Sequence, residues 1–508
     1  MHKRSCKNSS AAALTLEAKL ASTRKKKTSR ANRERRTTHT AKNEKPRIVE
    51  NIEAASNHRE RRLFGTDGVR GVANVFPMTC ETALALGRAV AYQARRGNHR
   101  HSIIIGKDTR LSGYMIEMAF ASGVCSMGVD AVFVGPMPTP AVAFLTRDMR
   151  ADAGVVISAS HNPFADNGIK IFARDGFKLP DKDEIELEDY MHDEKVGKVR
   201  PTKGAVGKAF RIDDAPGRYM VGLKSVFPSA LNLEGLKIVI DCANGAAYKV
   251  APTVLKELGA AVYPINVNPD GRNINHKCGA LHPQGVQSLV RRVGADIGLA
   301  LDGDADRLIV VDEQGQIVDG DLLLAIGAAD LLREKRLHKK TLVTTVMSNL
   351  ALDKKIKKLG GHVIRTKVGD RYVVEKMRAN GYNFGGEQSG HLIYLDHATT
   401  GDGMVAALKL LAVLRSQNAQ MSELRKMIVP FPQALINVTV KEKRPIEELD
   451  NVQKLIRNIE RTLGNDGRVM VRFSGTEPKV RVLVEGPELA QVETWAKNIA
   501  DQLAKDLG

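Results

Sequence analysis

Ala295-Asp296-Ile297-Gly298-Leu299-Ala300-Leu301-Asp302-Gly303-Asp304-Ala305-Asp306-Arg307 runs a short apolar stretch straight into three alternating aspartates. An apolar run this short, closed by a polar turn, reads as a buried strand that delivers a loop at its carboxyl end. That is where open α/β sheets bind their ligands. The arrangement occurs twice more. Ala151-Asp152-Ala153-Gly154 precedes Val155–Ile157 and then Ser158-Ala159-Ser160-His161, and Ala379-Asn380-Gly381 leads through Tyr382–Phe384 into Gly385-Gly386-Glu387-Gln388-Ser389-Gly390-His391. Three strand-to-loop units imply three similar α/β domains whose polar loops share one cleft.

Outward from these stretches the same rhythm continues. His101–Ile105 and Ala131–Val134 read as strands around a helix at Tyr114–Met127, and Leu236–Asp241 and Ala261–Ile265 as strands around a helix at Ala251–Leu258. Alternation of this kind predicts α/β domains with mixed, largely parallel sheets. Breaks near Lys198–Gly217, Gly315–Gly320 and Pro430–Pro432 divide the body into α/β domains at 63–210, 211–315 and 316–430, and a smaller C-terminal α+β domain at 431–508. The four are expected to stand around a central cleft. A chain of 508 residues, 43% hydrophobic, has ample material for that many cores. No apolar run of eighteen residues occurs, which excludes a membrane-spanning helix. Cysteines at 6, 80, 125, 242 and 278 form no Cys-x-x-Cys pair, which excludes a zinc ribbon and suits a reduced, cytoplasmic chain.

The formal charge of +19 is unevenly spread. Residues 1–62 hold eight Lys and ten Arg against six Glu, a net of +12, so +7 remains for the rest. This basic tail has no sustained apolar periodicity beyond a turn or two of helix at Ala11–Leu20, and it is expected to be disordered. A solvated extension is preferred over a transit peptide or a nucleic-acid-contacting arm. Any nucleic-acid contact would belong to the tail alone.

Four loops carry chemistry. If the segment is extended, Asp302, Asp304 and Asp306 point the same way. Converging carboxylates repel one another unless a hard cation sits among them, and an all-oxygen set suits Mg²⁺. An EF-hand is excluded: Glu313 falls at position twelve, but position six is Arg307 rather than Gly, and Leu308–Val311 reads as a strand. The apolar strands on both sides disfavour a merely solvated acidic turn. Ser160, at the end of another buried strand, could be a nucleophile, a helix cap or a turn residue; no Gly-x-Ser-x-Gly elbow surrounds it. In an extended segment Ser160 and His161 would face opposite sides, which argues against a simple Ser–His pair. Glu387, Gln388, Ser389 and His391 between glycines supply the donors and acceptors that a polyhydroxylated ligand needs. Near the end, strands Val469–Phe473 and Val480–Val484 bracket Ser474, Gly475 and Thr476, with Arg472 and Arg481 beside them. Exposed amides and two guanidinium groups there make an anion nest for phosphate. Gly401-x-Gly403-x-x-Ala406 imitates a dinucleotide fingerprint but comes late in its unit, without a first βαβ turn.

Together these motifs closely resemble the phosphohexomutase superfamily. Phe64-Gly65-Thr66-Asp67-Gly68-Val69-Arg70-Gly71 looks like its opening signature, Ser158 to Pro163 like its phosphoserine loop, and Asp302 to Arg307 like its metal loop. Gly386 to His391 is similar to its sugar loop and Arg472 to Pro478 to its phosphate loop. The resemblance covers 63–508, in order, and leaves out the tail. It implies that Ser160 is phosphorylated and joins Asp302, Asp304 and Asp306 around one Mg²⁺ per subunit, with Ser158 supporting it. It gives Lys170 and His391 general acid/base duty, lets Arg70 and Arg307 steady the transferring phosphoryl group, and lets Glu387 and Ser389 hold sugar hydroxyls. Gln388, where relatives acting on mannose or glucose phosphates usually carry Met, points to the phosphoglucosamine branch. So does the stretch Pro269-Asp270-Gly271, Ile274-Asn275, Cys278-Gly279 and His282-Pro283. The implied reaction interconverts glucosamine 6-phosphate and glucosamine 1-phosphate through a sugar bisphosphate that is both intermediate and activator, on the way to UDP-N-acetylglucosamine. Its partner is a small-molecule sugar phosphate, with no membrane, and a homodimer is the assembly left open. The rivals are a mannose- or glucose-phosphate mutase, a phosphatase that hydrolyses its phosphoenzyme, and a binding protein acting through the tail.

Overall fold

The computed structural model describes residues 62–65, 67–442, 444–473 and 479–508. The basic tail with its Ala11–Leu20 stretch, and Ser474, Gly475 and Thr476, lie outside the described residues.

Strands rich in Ile, Val and Leu build three mixed sheets of one design. In the first, β1 (Val69–Val72), β2 (Ser102–Lys107), β3 (Asp130–Pro136), β4 (Ala153–Ile157), β5 (Asp166–Ala173) and β6 (Ala209–Arg211) take the order β1-β5-β4-β2-β3-β6. In the second, β7 (Lys237–Asp241), β8 (Ala261–Ile265), β9 (Ile297–Leu301), β10 (Leu308–Asp312) and β11 (Ile317–Val318) take the order β11-β10-β9-β7-β8. The third places β12 (Thr341–Thr345), β13 (His362–Thr366), β14 (Phe384–Gly386) and β15 (Leu392–Tyr394) in the order β13-β12-β14-β15.

One repeat underlies all three. Its first strand is flanked by parallel partners, and the third strand then turns back antiparallel into the fourth: β4 into β5, β9 into β10, β14 into β15. The loop of that hairpin is Ser158–Ala165 in the first sheet, Asp302–Arg307 in the second and Glu387–His391 in the third. The strands entering it are buried on both faces, β4 and β9 along their whole length, and so must be apolar throughout. Their polar residues are displaced to the turn.

A shared apolar core joins the three units. Val142 and Tyr219, Leu301 and Leu308, and Leu324, Met404 and Leu408 belong to one cluster of buried side chains. Helix Gly403–Gln417, buried from Gly403 to Leu414, is its axis. Its fingerprint-like glycines have a packing reason: a Cβ at Gly401 would run into the His391 ring, and one at Gly403 would lie 2.7 Å from the Arg307 carbonyl oxygen. Asp402 caps the helix by accepting the amides of Met404 and Val405. The last unit has its own core around Val452, Val482, Val492 and Leu503. It is an antiparallel sheet of β16 (Gln433–Thr439), β17 (Arg468–Phe473) and β18 (Lys479–Glu485), ordered β16-β18-β17, with helices Asp450–Leu463 and Leu489–Leu507.

Candidate active site

The three hairpin loops meet. Ser160 is buried, and its Oγ donates to Asp302 Oδ2 at 2.6 Å across the first and second units. His391 of the third unit lies with Nδ1 3.6 Å from Asp306 Oδ1. Lys170 on β5 places Nζ 2.8 Å from Asp304 Oδ2, 3.5 Å from Asp306 Oδ2 and 3.2 Å from Asp67 Oδ2.

Two local expectations fail, for one reason. The aspartates converge by a turn, not by strand alternation: Ala305 adopts φ +58°, and its amide donates to the Asp302 carbonyl at 3.1 Å. Ser160 is likewise not extended. It sits at φ +51°, and its Oγ comes within 3.3 Å of His161 Nδ1, so the two side chains do approach each other. Left-handed backbone at a non-glycine residue costs about 1–2 kcal/mol and persists only where the surroundings over-determine it. Burial, then the charges of Arg307 and Arg70, push His161 down to about 4, so its ring is neutral at pH 7.

The surroundings of Ser160 are a buried scaffold that no sequence motif announced. Arg110, with no exposed surface, donates through Nη2 to the carbonyls of Ser160 and Asn162, both at 2.9 Å, and through Nη1 to those of Pro163 and Asp166. Its Nε pairs with Asp108 Oδ2 at 2.7 Å. The same oxygen accepts Ser158 Oγ at 2.7 Å, and Ser158 Oγ accepts the Ser160 amide at 2.9 Å. From the second unit Asn275 Nδ2 also holds the Ser160 carbonyl, at 2.8 Å.

Asp302, Asp304 and Asp306 are buried, with one oxygen of each within 4.8 Å of the others. Thr139 Oγ1 donates to Asp304 Oδ2 at 2.6 Å. Asp304 Oδ1 and Asp306 Oδ1 are buried with no hydrogen-bond partner among the described residues. Burial, then repulsion from Asp306 and Asp304, holds the Asp302 carboxyl well above its ordinary range. A buried Asp304 oxygen without a hydrogen bond and the suppressed ionisation of Asp302 are what a divalent cation among these groups would relieve, so the residues fit a metal.

A chain of alternating charge ties the units together around this centre. Asp67 pairs with Arg70 and Lys178, and Lys178 reaches Asp370 Oδ2 at 2.6 Å. Burial alone would lower the Lys170 ammonium, but Asp304, Asp67 and Asp306 outweigh it and raise its pKa far above the ordinary lysine value. Burial also opposes charge on His391, yet Asp306 and Asp370 raise it to about 10. Two contacts compete at its Nε2. A proton there serves Asp370 Oδ2 at 3.3 Å, and without it the nitrogen accepts the Gly401 amide at 3.1 Å. Neither Asp67 beyond its signature, nor Lys178, Asp370, Asp108 or Arg110, was singled out from sequence.

In the sugar-like loop Glu387 Oε1 accepts the Gly369 amide at 3.0 Å, and Ser389 Oγ is buried with no partner among the described residues. The Arg307 amide donates to Asp302 Oδ1 at 3.2 Å, while Arg307 Nε is buried without a hydrogen bond among the described residues and lies 4.0 Å from Asp306 Oδ1. In the last unit Arg472 and Arg481 stand directly opposite each other across β17 and β18. Like charges so placed repel. Burial and Arg481 lower the Arg472 guanidinium, whose Nη2 lies 3.8 Å from Met347 Sδ in the third unit.

Four family models, described as phosphoglucomutase/phosphomannomutase alpha/beta/alpha domains I, II and III and C-terminal domain, match residues 61–197, 218–315, 319–431 and 435–502. A phosphoglucosamine mutase from Anaeromyxobacter sp. (strain Fw109-5) is 61% identical over 88% of this chain and 96% of its own length. One from Myxococcus xanthus (strain DK1622) is 60% identical, over 88% and 98%. Among solved structures, a phosphoglucomutase/phosphomannomutase family protein from Burkholderia thailandensis matches with TM-score 0.73 at 25% identity, over 87% of this chain and 97% of that one.

Proposed function

The chain belongs to the phosphoglucomutase/phosphomannomutase family, and from that membership we infer how its converging loops carry out the chemistry. It is an isomerase of the phosphoglucosamine mutase type, interconverting glucosamine 6-phosphate and glucosamine 1-phosphate. The observation that carries the mechanism is the 2.6 Å contact between Ser160 Oγ and Asp302. A buried hydroxyl at the edge of a cation-ready carboxylate cluster is placed to carry a phosphoryl group.

Phosphoserine 160 donates its phosphoryl group to O1 or O6 of the sugar monophosphate. The P–Oγ bond breaks as a bond forms from phosphorus to the sugar oxygen, whose proton leaves through the neutral form of His391, and Ser160 recovers its own hydroxyl proton. The bisphosphate turns over, returns its other phosphoryl group to Ser160, and leaves as the isomer. Mg²⁺, held by Asp302, Asp304, Asp306 and Ser160, would neutralise charge on the transferring group when bound. Arg70 and Arg307 steady that group, Lys170 presents a fixed ammonium to it, and His391 gives up or regains its proton against the waiting Gly401 amide. Glu387 and Ser389 take the sugar hydroxyls. Arg472 and Arg481, with Ser474, Gly475 and Thr476, hold the phosphate that is not reacting, which turns their mutual repulsion into attraction for an anion. Each of the units 63–210, 211–315, 316–430 and 431–508 thus supplies one loop. The four described cysteines are unpaired, which fits a cytoplasmic enzyme.

A substrate panel of glucosamine, mannose and glucose 6-phosphates, run with bisphosphate activator, tests the reading. The glucosamine phosphate is expected to give the highest kcat/KM, and a preference for either other sugar would overturn the assignment. Arg472→Ala is expected to raise the KM for glucosamine 6-phosphate about tenfold or more, the loss of one charge-assisted pair. An unchanged KM would remove Arg472 from the phosphate site. Asp304→Asn should weaken Mg²⁺ binding and lower turnover, with partial rescue by excess metal; unaltered Mg²⁺ dependence would exclude it as a ligand.

A further inference from the structure

A second constellation of ligating side chains lies at the opposite end of the first sheet. His99 and His101 precede β2, and Asp152 precedes β4. These strands are parallel neighbours with Ile103 beside Ala153, so their amino ends bring the three residues together. The Ser160 loop leaves the carboxyl end of β4, a five-residue strand or about 17 Å away. One ligating atom from each of His99, His101 and Asp152 lies within 4.8 Å of the others.

We propose that His99, His101 and Asp152 form a site for a borderline first-row divalent cation of the Zn²⁺ class. His99 Nε2 is 2.9 Å from Asp152 Oδ1, and His101 Nδ1 is 3.3 Å from Asp152 Oδ2. Two ligands on one tetrahedral zinc stand roughly 3.3 Å apart, given Zn–N and Zn–O bonds near 2.0–2.1 Å. The decisive detail is His101. Its side chain is nine-tenths buried, yet Nδ1 makes no hydrogen bond among the described residues despite an oxygen at 3.3 Å. A ring that only braced the carboxylate would turn its N–H onto that oxygen. This one presents a nitrogen beside it, as neighbouring ligands of a common ion do.

The second layer is in place. Asp152 Oδ2 accepts the Ser102 amide at 3.0 Å, which fixes the carboxylate, and the Asp152 amide donates to the Ser102 carbonyl at 2.9 Å. The adjacent cation is already neutralised, because Arg100 pairs with both oxygens of Asp130 at 2.6 and 2.7 Å. With the His99 side chain 42% exposed, an ion can enter from solvent and water can complete its coordination. Two imidazoles and one carboxylate select Zn²⁺, Ni²⁺ or Cu²⁺ over the Mg²⁺ favoured by the all-oxygen cluster.

The full chain, stripped with chelator and held in excess Mg²⁺, is dialysed against Zn²⁺. Wild type is expected to retain one equivalent more than His99→Ala, whose mutase activity should be unaltered. In parallel, Zn²⁺ should protect His99 from diethylpyrocarbonate, read by peptide mass spectrometry, and Asp152→Asn should shift that protection to higher Zn²⁺. Equal zinc content in wild type and His99→Ala, or modification of His99 indifferent to Zn²⁺, would overturn the site. The exposed position of His99 keeps its variant informative if His101→Ala does not fold.

Discussion

Ser160→Ala is expected to lower mutase turnover by about 10³-fold or more while leaving sugar-phosphate binding within a few-fold of wild type. The asymmetry follows from where the contacts lie. Ser160 Oγ touches the carboxylate cluster, whereas Arg472 and Arg481 are carried by the last unit. Removing the hydroxyl deletes the oxygen that faces Asp302 and can accept a phosphoryl group from the sugar. The variant should fold, because the two hydrogen bonds it loses, to Asp302 and His161, cost about 1 kcal/mol each. Calorimetric titration with glucosamine 6-phosphate, beside a coupled assay, separates the two effects. Near wild-type turnover would place the phosphoryl carrier elsewhere. Loss of binding together with turnover would mean that Ser160 shapes the pocket and does not merely react in it.

Arg110→Met should be the most damaging substitution outside the reacting groups, at about 3–5 kcal/mol of stability. The guanidinium is fully buried, and its contacts among the described residues run to one carboxylate, three carbonyl oxygens of the serine loop and that of Asp166 at the start of β5. Methionine restores the volume but none of the donors, and it leaves Asp108 charged without its partner. Burial already pushes the Asp108 carboxyl up in the presence of Arg110. Urea denaturation measures the loss, and Asp108→Asn/Arg110→Met should cost less than the sum of the single changes, because the pair acts as a unit. Arg110→Lys should keep charge but not the fork, and lose kcat with KM little altered. A midpoint for Arg110→Met within about 0.5 kcal/mol of wild type would show that the loop holds its shape without this scaffold.

The fold was legible where burial dictates composition. Val155–Ile157 and Leu299–Leu301 are strands because nothing but apolar residues can be buried there, and the polar loops follow where the chain leaves the sheet. What the sequence showed as a weak repeat is a structural one, the same hairpin used three times. The site was legible in its reacting residues and obscure in its supports. Asp108 and Arg110 carry no local marker of their role, since the carbonyls that Arg110 holds lie about fifty residues on. A faint signal existed, in that they follow the apolar Ile103–Ile105 at the same end of the sheet as the serine loop. Lys178 and Asp370 are 192 residues apart and become partners only when two units close. The turns at Ser160 and Ala305 escaped because a positive φ has no marker when the residue is not glycine.

The central claim is that Ser160 passes its phosphoryl group directly to the sugar. Protein labelled with radioactive phosphate on Ser160 and mixed rapidly with unlabelled glucosamine 6-phosphate should transfer the label to glucosamine 1,6-bisphosphate within a single turnover, at a rate no slower than kcat. Label appearing as inorganic phosphate, or remaining on Ser160 while glucosamine 1-phosphate accumulates, would contradict it.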